Sequence, residues 1–235
     1  SISIKLSFFV FFLRFFIHTF LIYQPEWVNI LAFLAGLSMF YGTLMLFKER
    51  EFKKLLSYFT IFQTGLLVLG IVYGTQAGVE AMLFFVLAYF FSYWGILTWF
   101  NLVETNNLEE LNFKALIQKS KLLALSLIGF VFSLLGLPLT GGFWERYYLF
   151  KSGWKAEQQI LVIVGILCSI LAVLYFLKQF SKIFKKANPV VNHPFVLPFG
   201  LKIILIISFI GTVFMGVYPH FFKDWALQAA KVFSF

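Results

Sequence analysis

Seven apolar runs of near-bilayer length follow one another along the chain, at about 2–22, 27–47, 54–74, 79–100, 120–150, 157–177 and 200–218. About 20 apolar residues are needed to cross roughly 30 Å of hydrocarbon as a helix. Backbone in lipid must satisfy its own hydrogen bonds, so each run is expected to be a helix unless strands close into a barrel. The sequence has no short alternating segments of the barrel kind. Residues 1–235 are therefore expected to form a single all-α, polytopic membrane domain. Composition agrees: 61% of residues are hydrophobic and 12% charged, against about 25% charged in soluble domains. A water-soluble fold of this size would lack the polar surface to cover itself.

The fifth run is too long for one crossing. Its centre reads Gly136-Leu137-Pro138-Leu139-Thr140-Gly141-Gly142. Pro138 lacks an amide hydrogen and the glycines admit unusual dihedrals, so a break is expected near 138–142, at Pro138, Gly141 and Gly142. A membrane helix breaks only where protein or water covers the freed backbone groups. The break is either a packing kink between two short helices or a discontinuous helix at an ion path.

Charge alternates between the connections. Segments 48–54, 101–121 and 178–202 hold twelve basic residues, whereas the opposite loops and the C-terminal tail hold four: Lys151, Lys155, Lys223 and Lys231. Basic loops favour the cytoplasmic or matrix side, which places the C-terminus towards the periplasm or intermembrane space. The net charge of +9 is thus mainly a topology signal, and no nucleic-acid partner is expected. The KIFKK run at 182–186 is a solvated loop charge or a contact for anionic lipids, cardiolipin among them.

An ionisable group inside a span is costly and faces protein or water. Lys5 and Arg14 lie in the first run; Lys5, near its end, could snorkel to the headgroups. Glu145 and Arg146 follow the break within two turns, either as a structural ion pair or as a charge-transfer site. Lys54 opens the third run as an anchor or a pathway residue. Behind it Ser57, Thr60 and Thr64 are expected on one face with Gln63 nearby, and Tyr89 offers a hydroxyl from the fourth run; these could glue helices together or hold a water file. Glu80 is read as a loop carboxylate. The three histidines are scattered and Cys168 is alone, so neither a metal site nor an intrachain disulfide is expected. No motif for chemistry on an organic substrate occurs. Moving an ion or proton is the activity these residues permit.

The segment FVFSLLGLPLTGGFWERYYLF at 130–150 resembles the broken twelfth helix of the antiporter-like membrane subunits of respiratory complex I, with its pattern SLxGxPxTxGFxxKFYxF. Residues 53–65, KKLLSYFTIFQTG, resemble that family's KRxLAYSSIxHxG, and Lys5 with the run ending LRFF resembles its eighth helix. The likeness is strongest to the group called NADH dehydrogenase subunit 2, or chain N in bacteria, and covers essentially the whole chain.

The resemblance implies that the seven runs correspond to helices eight to fourteen, most of the second of two inverted repeats. The first repeat would come from a separate chain or from further sequence. It places Lys5 at the central-axis lysine and Arg146 where the family usually has a channel lysine. Arginine releases protons poorly, so either Arg146 holds the field while Glu145 or water carries protons, or this half-channel is impaired. Gln63 stands where histidine is common. The resemblance further implies other membrane-arm subunits as partners. No cofactor is expected on this chain, while FMN, iron–sulfur clusters and ubiquinone would lie elsewhere in the complex. The 34 phenylalanines suit an AT-rich genome, so the mitochondrial inner membrane is expected, with a bacterial inner membrane as the alternative. A subunit of a multisubunit cation/proton antiporter and a purely structural membrane subunit are the competing readings.

Overall fold

The computed structural model describes residues 11–12, 15–16, 24–49, 51–105, 121–185 and 198–231. The expected span at 2–22, with Lys5 and Arg14, lies outside the described residues apart from four positions. Among the described residues eight helices follow in order: α1 (Gln24–Lys48), α2 (Phe52–Val72), α3 (Gln76–Thr105), α4 (Lys121–Leu135), α5 (Gly141–Lys155), α6 (Gln159–Lys185), α7 (Phe199–Val217) and α8 (Pro219–Lys231). Among the described residues five of them, α1, α2, α3, α6 and α7, are long and apolar enough to cross a membrane. The 15-residue helices α4 and α5 are the two halves of the interrupted fifth run.

Burial divides these helices into inner and outer ones. In α2 and α3, 72% and 61% of the apolar window is enclosed by protein, against 28% in α1 and in α7. On α1 the enclosed side chains Leu31, Ala35, Met39 and Leu46 form a stripe at helical spacing, while Ile30, Phe33, Leu37, Phe40 and Leu44 are exposed. Both faces are apolar, as expected of a helix with lipid on one side and protein on the other. Lipid exerts no hydrophobic pull between helices, so contact depends on small residues that let backbones approach. At the α1–α2 seam a Cβ on Gly42 would meet the Phe62 amide nitrogen at 2.6 Å, and one on Gly65 the Ala35 carbonyl at 2.8 Å.

The interrupted crossing sits against this inner pair, with α5 contacting α3, α7, α6, α4 and α2. Its break falls at residues 136–140, two residues earlier than the position expected from Pro138 and the glycine pair. Gly136 ends α4 in a left-handed conformation (φ 72°), where Gly is far cheaper than any residue with a Cβ. Pro138 lies in the exposed turn, and Gly141 and Gly142 open α5. These two glycines act by lacking a side chain, not by ending a helix. A Cβ on Gly142 would lie 1.7 Å from the Ser133 carbonyl oxygen, so the halves meet backbone to backbone.

The C-terminal tail carries a further helix, α8. Pro219 opens α8, where its missing amide hydrogen costs nothing, and Ala226 and Ala230 are buried on one face. Helix α8 packs on α3 and α7. Glu80 lies inside α3, half-buried, with its carboxylate 3.7 Å from the Lys223 ammonium of α8. The expectation of a loop carboxylate is therefore corrected.

Gly142→Ala should destabilise the protein by about 3 kcal/mol or more, through overpacking against unyielding backbone. Gly36→Ala on α1, with open space around the new methyl, should be neutral or slightly stabilising. Thermal unfolding in detergent distinguishes the pair, and equal melting temperatures would refute the backbone contact.

Candidate functional site

A helix ends with four carbonyls that have no partner within it. At the end of α4 these belong to Phe132, Ser133, Leu134 and Leu135. The Leu137 amide donates to the Phe132 carbonyl at 2.9 Å, and the Gly136 amide to the Ser133 carbonyl at 2.9 Å. Together they form a Schellman cap. The other two carbonyls face the Arg146 guanidinium, whose Nη2 donates to Leu134 at 2.7 Å while Nη1 donates to Leu135. A fixed cation at a helix C-terminus also lies at the negative end of the macrodipole. Gly136 is needed here twice, since a Cβ would meet the Arg146 side chain at 2.8 Å.

The start of α5 is satisfied from the same place. The Gly142 amide donates to the Ser133 hydroxyl at 3.2 Å, and the Ser92 and Ser133 hydroxyls share a hydrogen bond of 2.7 Å. The Phe143 amide donates to the Thr140 carbonyl at 3.2 Å. The break is thus held by α4, α5 and the inner helix α3 together.

Glu145 and Arg146 are both buried, at 2% and 7% relative exposure. Neighbouring positions on a helix point in different directions, so their joint burial requires protein on two sides of α5. The Glu145 carboxylate faces the Gln63 amide and lies within electrostatic range of Tyr89. Arg146 instead folds back on the end of α4, with its guanidinium carbon 5.8 Å from the Phe62 ring centroid. Among the described residues the two make no direct ion pair within 4.0 Å; the pairs there are Lys54–Glu51 and Lys223–Glu80.

The remaining expected site residues divide sharply. Gln63 is buried and its Nε2 donates to the Leu134 carbonyl at 3.3 Å, so it joins the Arg146 cap. Thr60 is buried, donating to the Leu56 carbonyl and lying 3.4 Å from the Tyr93 hydroxyl. Tyr89 stacks on Tyr93 with ring centroids 5.1 Å apart. Thr64 is half-buried and donates to the Thr60 carbonyl. Ser57 is exposed and bonds its own helix at Lys53, so it does not share an enclosed face with Thr60 and Thr64. Lys54 is exposed and held by Glu51 at 3.1 Å, away from the buried cluster. Gln63 Oε1, Tyr89 Oη and Arg146 Nε are buried without a hydrogen-bond partner among the described residues. The cluster is therefore polar, enclosed and only partly self-satisfied.

A half-exposed groove approaches this cluster from the basic side, lined by Lys53, Leu56, Tyr93, Phe100 and Asn101. Tyr93 lies on this groove and also on the path inward, through Thr60 and Tyr89. The arrangement can hold charge, exchange protons at a carboxylate and accept water at unpaired oxygens; it offers no nucleophile for group transfer.

The site is thus a discontinuous helix in an enclosed bundle, with an acidic and a basic side chain buried beside its break. Residues 1–172 match the family model described as NADH:quinone oxidoreductase/Mrp antiporter, TM, and the chain belongs to that family. It is 31% identical to an NADH-quinone oxidoreductase subunit N from Desulforamulus reducens, over 89% of this chain and 44% of the relative. A chain of respiratory complex I from Thermus thermophilus with bound NADH superposes with a TM-score of 0.72 at 26% identity, covering 89% of this chain and 45% of that one. A chain of the Mrp complex from Dietzia sp. shares the fold, with a TM-score of 0.73 at 17% identity over 87% of this chain and 47% of that one. The chain spans less than half the length of the curated relatives it matches.

Arg146→Lys should cost about 1–3 kcal/mol, because a single ammonium cannot span the Leu134 and Leu135 carbonyls as the fork does. Arg146→Met should cost about 3–5 kcal/mol, leaving the buried Glu145 without a nearby cation. Thermal unfolding of both variants measures the order; a Lys variant as stable as the parent would refute the two-carbonyl cap.

Proposed function

We propose that this chain is a proton-translocating membrane-arm subunit of an NADH:quinone oxidoreductase, contributing a half-channel to the complex. The reading rests on one observation above the others: Glu145 and Arg146 are both buried at the break of a discontinuous helix. The complex I relatives support it at the level of the family.

In this reading Arg146 stays protonated and supplies a fixed positive field, since its fork is committed to two helix-end carbonyls. Glu145 is the group that gains and loses the proton. Gln63 Oε1 and Tyr89 Oη orient water beside it, and Tyr93 with Thr60 connects it to the basic-side groove. On the resemblance, Lys5 is the central-axis lysine, and its protonation is coupled to that of Glu145. Lys54, paired with Glu51 at the surface and away from the buried cluster, contributes to charge coupling on the basic side. Each proton moved against the membrane potential costs about 2.3 kcal/mol per 100 mV. Quinone reduction elsewhere in the complex supplies that energy through linked charge changes.

The partners are then the other membrane-arm subunits, including whatever supplies the first repeat, and anionic lipids. Flavin, iron–sulfur clusters and quinone belong to other subunits. The location is an energy-transducing membrane with the C-terminus on its outer side; the phenylalanine excess favours mitochondria and the bacterial relatives favour a bacterial membrane. A structural role is the second reading, favoured by Arg146 acting as a helix cap. A Mrp-like cation/proton antiporter subunit shares the same fold.

In the reconstituted complex, Glu145→Gln should lower proton-coupled turnover by on the order of 10²-fold with assembly intact. Lys5→Ala should abolish coupled pumping without changing assembly. Pumping is read by a pH-sensitive dye alongside NADH:quinone activity. Normal pumping in both variants would leave the structural reading in place.

A further inference from the structure

The side poor in basic residues gathers them in one place. Three of its four lysines, Lys151, Lys155 and Lys223, line a single cavity of about 140 Å³ between the start of α3, the end of α5 and α8. Glu80 is the one carboxylate in its wall. Lys223 is oriented by Glu80 at 3.7 Å and by the Tyr148 ring at 5.6 Å. Lys151 lies over the Tyr147 ring at 5.4 Å. Among the described residues neither Lys151 nor Lys155 has a carboxylate within ion-pair distance. The last turn of α5 favours a cation at Lys155 through its dipole, which explains one lysine of the three.

Clustered cations on this side oppose the charge distribution that orients membrane proteins, so an anion that binds there offsets their repulsion. Trp154 of α5 and Phe221 and Trp225 of α8, on two of the helices that wall the cavity, are exposed. Trp at such positions marks the interface between headgroups and acyl chains, and α8, polar on one side and aromatic on the other, suits a helix lying in that plane. We infer that the cavity binds a phosphate group, held by Lys151, Lys155 and Lys223, with Glu80 fixing the position of Lys223. A phospholipid headgroup and free inorganic phosphate share this chemistry.

The test uses the full chain in its assembled complex, stripped of lipid and placed in phosphatidylcholine nanodiscs. Retention of labelled phosphatidylglycerol and of ³³P-phosphate is measured in parallel. Lys151→Gln/Lys155→Gln/Lys223→Gln should weaken binding by about fivefold per lysine, and the triple Lys→Arg variant should restore it. Lipid retention that free phosphate does not displace identifies a headgroup site, and displacement at matched concentration identifies a phosphate site. If the triple glutamine variant fails to assemble, Lys155→Gln alone should give about a fivefold loss. Equal retention of both probes by parent and glutamine variants overturns the proposal.

Discussion

Everything in the enclosed half of this molecule depends on how the backbone at residues 132–142 is satisfied. Breaking a helix in a bilayer frees carbonyls on one side and amides on the other, each costing several kcal/mol if left bare. Here the four carbonyls are matched by two turn amides and the Arg146 fork, and the Ser133 hydroxyl accepts the Gly142 amide. One charged side chain and one serine therefore make the interruption stable. The burial of Glu145 follows, because the helix that carries Arg146 back to the end of α4 also turns Glu145 towards α2 and α3.

This geometry changes the meaning of arginine at a position where a lysine would be expected. A lysine there would be a point charge free to lose its proton when desolvated. The fork is tied to two carbonyls and holds its proton strongly. Cap and charge are one group here.

Most of the fold was legible in hydropathy and length, because lipid leaves a chain few options. The apolar runs became α1, α2, α3, α6 and α7, with α3 and α6 running five and eight residues past the expected ends, and GLPLTGG marked the interruption. The interruption at 136–140 overlaps the expected 138–142, and Gly136, through its left-handed φ, ends the helix just ahead of the proline and the paired glycines. The role of Arg146 was hidden for a different reason. Its partners lie 11 and 12 residues upstream across a reversal of the chain, and no helical spacing connects them. Nothing in the spacing of its apolar run singles out Ser133. Helix α8 was overlooked because it is short and polar on one side; Pro219 followed by alanines at helical spacing was the available signal.

The closeness of Gly142 to Ser133 has a mechanical consequence. A Cβ at Gly216 of α7 would likewise meet the Leu139 carbonyl at 2.2 Å, so the short linker is clamped from both sides although the Leu139 side chain is 78% exposed. The interruption is a splice and not a hinge. Neither half-helix can rotate about the joint without driving backbone into backbone, so torque applied to one passes to the other and to the end of α7. Any tilt of one half-helix would carry the other with it as one rigid lever, whereas a change of charge alone could alter Glu145 while the splice stays still.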